Sequence, residues 1–177
     1  MPLNLTHFGN VSEFNVHPYF GLLESYATNL YLKQKTKFPF ILSRSTTFGS
    51  SRYTFHWTGD NHASWEFLRS SIVDNMNVNM AGIQMVGPDI CGFGGDTTEE
   101  LCSRWYQLAA VYPFARSHND YWSIPQEPFS LGDRVLRIAF SSIKLRYVFL
   151  AQYYSDWIMD GGLSPFFTSP ALYPQTL

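Results

Sequence analysis

Short apolar runs alternate with stretches of helical periodicity along this chain, and this alternation limits the fold more than any other feature. The run Phe38–Leu42 lacks polar alternation, as expected of a strand that is buried on both faces. Further strands are predicted at Tyr53–Trp57, Ile83–Val86 and Val111–Phe114. Strands separated by helices in this order predict a parallel α/β fold, and the length alone predicts one domain.

The segments around these strands have helical spacing. One helix is predicted to begin near Pro18, because proline suits the first position of a helix. A second helix is predicted to begin near Asn61 or Ser64. Its apolar face comprises Trp65, Leu68, Ile72 and Met76.

A third helix opens near Asp96, where Thr97 and Glu100 have the spacing of a capping box. A fourth runs from about Leu131 to Tyr154 and is apolar on several faces, which predicts that it is well buried. The spacing of the third helix also assigns three residues to the core: Trp105, Tyr106 and Leu108.

Composition narrows the classes of partner. A net charge of −2 gives no electrostatic reason to bind nucleic acid or an acidic membrane. The chain is 18% aromatic and only 15% charged, which favours either extensive burial or the binding of a flat ligand such as a sugar ring. No signal peptide or membrane span is predicted, because the longest apolar stretch falls short of roughly 20 uninterrupted residues. Three charged residues interrupt it: Arg137, Lys144 and Arg146.

Four polar residues follow predicted strands: Arg44, Asp60, Asp89 and His118. Successive parallel strands deliver these positions to one edge of the sheet, which is the active-site face of a barrel. Each residue taken alone could equally cap a helix or solubilise a loop. Cleavage of a glycoside with retention needs two carboxyl groups, one of them protonated near neutral pH. Asp60 has aromatic neighbours that could desolvate it, whereas Asp89 suits a binding role equally well.

Two cysteines, Cys91 and Cys102, are too few for a disulfide scaffold or a four-cysteine zinc site. They form either one disulfide or two free thiols in the core. Glycosylation sequons begin at Asn4 and Asn10, and these matter only in a secretory compartment.

Five segments resemble, in the same order, the barrel of glycoside hydrolase family 31, and most closely its lysosomal, intestinal and plant α-glucosidases. They are Leu42–Thr46, His56–Asn61, Met85–Phe93, Glu99–Leu108 and Tyr112–Asn119.

The resemblance implies that Asp60 is the general acid/base. It also implies that Arg44 and His118 bind sugar hydroxyls, that Trp57 and Phe93 wall the pocket, and that Asp89 is a supporting carboxylate. On the residues alone, the two aromatic side chains fit core packing and His118 fits a buried, hydrogen-bonded position. The family branch also implies a disulfide between Cys91 and Cys102, and with it a lysosomal or extracellular protein of the secretory pathway.

The family's nucleophile is an aspartate in an Asp-Met-Asn-Glu motif, which this sequence lacks. A closed barrel also needs about 250 residues, more than the 177 of this chain. The expected fold is therefore α/β, a partial TIM (β/α)8 barrel made of C-terminal strands and helices. Residues 1–155 are expected to form this part of the barrel, and residues 156–177 to leave it.

The expected function is that of a retaining α-glucosidase, which releases glucose from the non-reducing ends of α-glucans or malto-oligosaccharides. No metal or organic cofactor is needed for this chemistry, and the chain by itself is expected to be inactive without the rest of the barrel. Two alternatives stay open: a non-catalytic remnant that only binds carbohydrate, and a structural α/β domain without a ligand.

Overall fold

The computed structural model describes residues 2–160, with side-chain surroundings up to residue 155. These residues form two compact units, and the division lies between His56 and Trp57. The length alone predicts one domain instead. Within the described range, no helix is both long enough and apolar enough to cross a membrane.

The first unit begins with a hairpin of two short antiparallel strands, β1 (Thr6–His7) and β2 (Val11–Ser12). A helical turn, α1 (Glu13–Val16), follows directly. A 3₁₀ turn over His17–Tyr19 then leads into α2 (Phe20–Leu32). Pro18 lies in that turn, so the predicted helix start is correct to within two residues.

Strands β3 (Leu42–Ser43) and β4 (Phe55–Trp57) pair in parallel, with Leu42 opposite Phe55 and Ser43 opposite His56. Both are shorter than predicted, and residues 38–41 are not in a strand. The parallel direction agrees with the fold class that the strand–helix alternation predicts.

Helix α3 (Trp65–Met80) is the first helix of the second unit, and Ser64 caps it by accepting a hydrogen bond from the amide of Phe67. The side that the helix buries is polar: Ser71, Asn75 and Asn79. The Ser71 hydroxyl lies 2.7 Å from the Tyr112 hydroxyl. The helix therefore buries the side on which a polar group finds a hydrogen-bond partner. The expected apolar face is largely exposed at three of its four positions: Trp65, Ile72 and Met76.

The remaining strands are β5 (Val86–Gly87), β6 (Asp89–Ile90) and β7 (Arg116–Ser117). Strands β6 and β7 pair in parallel, with Asp89 opposite Arg116 and Ile90 opposite Ser117. The predicted strand at Val111–Phe114 was therefore placed too early. Residues 109–112 instead close the preceding helix with turn hydrogen bonds.

Helix α4 (Glu99–Ala109) is capped by Thr98, whose hydroxyl accepts from the amide of Leu101 at 3.2 Å. The cap thus lies one residue after the predicted Thr97. Helix α5 (Asp133–Asp160) packs against α4. The core between them includes Trp105, Tyr106, Val135 and Ala139.

Helix α5 corrects two expectations. Its buried positions recur at helical spacing, Val135, Ala139 and Ser142, so that one stripe packs inward. Most of its other apolar residues are exposed, among them Phe140 and Tyr147, and the helix is not buried on several faces. The helix also continues past its predicted end at Tyr154. Residues 161–177 lie outside the described part of the chain.

The predicted disulfide is present between Cys91 and Cys102, which are both buried. It joins the segment after β6 to the first turn of α4. Its Cα atoms are 4.5 Å apart.

Reduction should destabilise the protein through this one bond, because the sequence has no other cysteine. We expect the free energy of unfolding to fall by about 3 kcal/mol, since the bond closes a short loop in the unfolded chain. Urea unfolding with and without dithiothreitol measures the change. The control is the double variant Cys91→Ala with Cys102→Ala, whose unfolding midpoint should be the same with and without dithiothreitol. Equal midpoints for the oxidised and reduced native protein would contradict the prediction.

Candidate functional site

A buried carboxylate and an arginine form the centre of the candidate site. Asp89 in β6 is fully buried, and the Nε–H of Arg116 in β7 donates to its Oδ1 at 2.7 Å. The parallel register places these two residues side by side on neighbouring strands. A charge removed from water in this way needs a close opposite charge, and Arg116 provides it.

Burial raises the pKa of Asp89, and this is the largest influence on it. The hydrogen bond and charge of Arg116 act in the opposite direction, followed by the charge of His118 and the nearby indole of Trp57. The carboxylate therefore interacts with two of the residues that the sequence predicts for the sugar site.

Trp57, at the end of β4, stacks on the same arginine. The guanidinium carbon of Arg116 lies 4.6 Å from the centroid of the indole ring, within the range of a cation–π interaction. Trp57 is half-buried, as the sequence allows for either a pocket wall or a core residue.

The loop after β6 carries Phe93, whose ring lies 5.3 Å from that of His118, centroid to centroid, at 38°. Phe93 is half-buried, and His118 is exposed directly after β7. The exposed imidazole excludes the alternative of a buried histidine. The amide of Asp120 donates to the carbonyl of Phe93 at 2.9 Å, which ties the loops after β6 and β7 together.

Asn61, in the segment after β4, connects that segment to β6 and to the loop after it. Its side-chain amide donates to the carbonyl of Asp89 at 2.9 Å, and its Oδ1 accepts from the amide of Phe93 at 3.2 Å. Its backbone carbonyl accepts from the amides of both Phe93 and Gly94 at 2.9 Å. A buried asparagine that satisfies three partners in this way fixes the relative position of two loops.

Two glycines permit the close contacts of this region. A Cβ on Gly92 would lie 2.4 Å from the Cα of Ala63, and its φ of +100° is unfavourable for other residues. A Cβ on Gly87 would lie 1.8 Å from the carbonyl oxygen of Phe114. Larger residues at either position would separate the loops that carry the candidate site.

Asp60 lies three residues beyond Trp57 and is exposed. The expectation that neighbouring aromatics desolvate it is not met, because Trp57 stacks on Arg116 and the side chain of Trp65 is itself exposed. Arg44 belongs to the first unit, where it directly follows β3 and is exposed. The second unit thus brings together Trp57, Asp89, Phe93 and His118, with Asp60 on an adjoining segment.

Neither Arg116 nor Asn61 is predicted from the sequence to belong to the site, although both lie inside the segments that resemble the family. Arg116 stands two residues before His118, so the alternation of a strand would place both on one face. The strand prediction misses this signal because it places the strand at Val111–Phe114, upstream of Arg116.

Comparisons with known proteins agree in the family that they indicate. The family model of the glycosyl hydrolases family 31 TIM-barrel domain matches residues 1–156. The chain is 48% identical over 158 residues to the lysosomal acid alpha-glucosidase of Tetrahymena pyriformis, covering 88% of this chain and 17% of that protein. It is 49% identical over 156 residues to a probable alpha-glucosidase of Oryza sativa subsp. japonica, covering 88% of this chain and 18% of that protein.

The fold is also similar to that of a solved structure. A crystal structure of the glucosidase II alpha subunit superposes with a TM-score of 0.82 at 34% identity. The match covers 89% of this chain and 17% of that one. The chain thus spans about a sixth of the length of each of these three proteins.

The opposite pKa changes of two aspartates predict opposite effects of pH on stability. Asp89 has a raised pKa in the folded protein, so the folded state holds this proton more tightly and its contribution to stability falls as pH rises. Asp120 has a lowered pKa, chiefly because the Ser123 hydroxyl donates to it, so its contribution is lost as pH falls.

Urea unfolding of the native protein, Asp89→Asn and Asp120→Asn from about pH 4 to about pH 7 tests both signs. Relative to the native protein, Asp89→Asn should gain stability with rising pH and Asp120→Asn should lose it. Parallel pH curves for the two variants would contradict the assignment.

Proposed function

This chain belongs to glycoside hydrolase family 31, and from that membership we propose that it supplies the general acid/base and part of the sugar site of a retaining α-glucosidase. The substrates we propose are malto-oligosaccharides and α-glucans, from whose non-reducing ends glucose is released. Residues up to about 155 are proposed to form the C-terminal part of the catalytic barrel. The observation that most supports this is the cluster of Trp57, Asp89, Phe93 and His118 beside the segment that carries Asp60.

In the first step of the proposed reaction, a carboxylate outside this chain attacks the anomeric carbon while Asp60 donates its proton to the departing glycosidic oxygen. The bond to the leaving sugar breaks and a glycosyl–enzyme ester forms. In the second step Asp60, now ionised, accepts a proton from water as the water attacks the anomeric carbon. Glucose leaves with its anomeric configuration retained, and both carboxyl groups return to their starting states.

Residues of the second unit are proposed to hold the sugar for these steps. The faces of Trp57 and Phe93 suit the apolar faces of a pyranose ring, because aromatic rings offer flat apolar area. His118 is exposed and can hydrogen-bond a sugar hydroxyl. The binding of a sugar hydroxyl by Arg44 stays a prediction from the family resemblance. A sugar bound beside Asp60, which is exposed in the free chain, would exclude water from it.

We further propose that the protein resides in the secretory pathway, in a lysosome or outside the cell. The Cys91–Cys102 bond supports this, because disulfides persist in oxidising compartments. Asn4 and Asn10 of the two sequons are both exposed, as glycosylation requires.

Substitution of the proton donor should affect substrates according to their leaving groups. In a longer protein that contains this chain and the remaining barrel, we expect Asp60→Asn to lower kcat/KM for maltose by about 10²–10⁴-fold. An aryl α-glucoside with an acidic phenol should lose much less in its bond-breaking step, because its leaving group needs little protonation. Initial rates on both substrates measure the difference.

Asp74→Asn is the matched control, since Asp74 is an exposed aspartate on α3. It should leave both rates near those of the native enzyme, and the isolated chain should release no glucose. If Asp60→Asn hydrolyses maltose normally, or if the isolated chain is active, the proposed role is wrong. Binding of maltose without hydrolysis by the longer protein would favour the carbohydrate-binding alternative instead.

A further inference from the structure

We infer that Arg116 is a positioning residue of the proposed sugar site, whose single guanidinium fixes both the plane of the Trp57 ring and the carboxylate of Asp89. The effect of Arg116 on catalysis rests on the function proposed above. Its positioning of Trp57 and Asp89 can be tested independently of that function.

Arg116 makes two contacts of different kinds with two different neighbours. Its Nε–H donates a hydrogen bond to Oδ1 of Asp89 on the neighbouring strand, at 2.7 Å. The guanidinium carbon lies over the indole ring of Trp57, at 4.6 Å from the ring centroid. Because the guanidinium is planar and rigid, an edge that is held by a carboxylate leaves its face in a fixed orientation for stacking. Asp89 therefore orients Trp57 through Arg116.

The backbone makes this arrangement specific. Arg116 is opposite Asp89 in the parallel pairing of β6 and β7, so a shift of one residue would turn its side chain to the other face of the sheet. Asp89 is further held through its own carbonyl, which accepts from Asn61. The strand pairing and the fixed position of Asp89 thus hold Arg116 in place against Trp57.

The position of Trp57 in the chain makes its orientation consequential. Only Thr58 and Gly59 separate it from Asp60. The amide of Thr58 donates to the carbonyl of Gly87 at 3.1 Å, which fixes the chain just beyond the ring. A change in the plane of the indole would alter the wall of the sugar pocket and shift the segment that leads to the proton donor.

Lysine could replace the charge of Arg116 but not its geometry. An ammonium group presents no flat face and no fixed fork, so it can neutralise Asp89 without orienting Trp57. Arg116→Lys and Arg116→Gln therefore separate the two contributions of the residue. The groups that face the Asp89 carboxyl are Arg116, His118 and Trp57, and burial acts on it as well.

Fluorine NMR of the chain labelled with 5-fluorotryptophan provides the test. The five tryptophans give five resonances, and Trp57→Phe identifies that of Trp57. In the native chain this resonance should shift with pH as Asp89 ionises, and Asp89→Asn should abolish that shift. In Arg116→Gln the midpoint should move to higher pH. In Arg116→Lys the midpoint should move less, while the resonance itself should be displaced because the stack is lost.

The matched control is Arg104→Gln, which removes an exposed arginine that pairs with Glu100 on the surface of α4. It should leave the resonance of Trp57 and its pH midpoint unchanged. If both Arg116 variants match the native chain in resonance and midpoint, the inference is overturned. It is also overturned if Arg116→Lys restores both, or if both variants lose the cooperative unfolding that Arg104→Gln keeps, since Arg116 would then act through charge or structure alone.

Maltose titrations monitored by the same resonance separate this inference from the proposed function. We expect the dissociation constant for maltose to rise at least about tenfold in Arg116→Lys, because the pocket wall is misplaced. If the native chain gives no shift with maltose, the sugar site of this chain is wrong, and the pH titration still decides whether Arg116 positions Trp57.

Discussion

The burial of the Asp89 carboxylate is the constraint on which the second unit depends. A fully buried carboxylate is costly to ionise unless an opposite charge lies close by, and the structure provides that charge from the neighbouring strand. The pair requires one particular register of β6 and β7, because any other would leave the carboxylate without Arg116. The ends of these strands then deliver Phe93 and His118 to the same region, 5.3 Å apart between ring centroids. The residues proposed to grip a sugar are thus placed by an interaction that need not touch the sugar.

Hydrogen bonds to backbone groups extend this order to the loops. Asn61 joins the segment after β4 to the loop after β6, and the amide of Asp120 joins that loop to the one after β7. Gly92 permits the contact, because a side chain there would overlap Ala63. The buried disulfide holds the far end of the same loop to α4. Three loops that are distant in sequence therefore hold one another, and they do so next to the residue proposed to donate the proton.

Local signals in the sequence were sufficient for the helix starts and the strand direction. Pro18 suits a helix start through its fixed φ, and Ser64 caps α3 through its side chain. Short apolar runs between helices indicate parallel strands. The buried side of α4 was predicted, since Trp105 and Tyr106 lie in the core, but that of α3 was not, because periodicity defines a face and not its partner. In α3 the buried face carries Ser71, whose hydroxyl meets that of Tyr112. Arg116 was missed for a related reason: its importance comes from the register with Asp89, which a single sequence does not contain. The disulfide was predicted by resemblance to a family and is confirmed by the structure.

The central claim is that Asp60 is the proton donor of a retaining glucosidase and that the attacking carboxylate lies elsewhere in the barrel. Trapping the glycosyl–enzyme ester with 5-fluoro-α-glucosyl fluoride, followed by peptide mass spectrometry of the longer protein, tests this most directly. The account predicts a label on an aspartate or glutamate outside this 177-residue chain, and no label on the isolated chain. A label on Asp60 or Asp89 would contradict it, because the residue assigned to proton transfer or to support would then be the nucleophile.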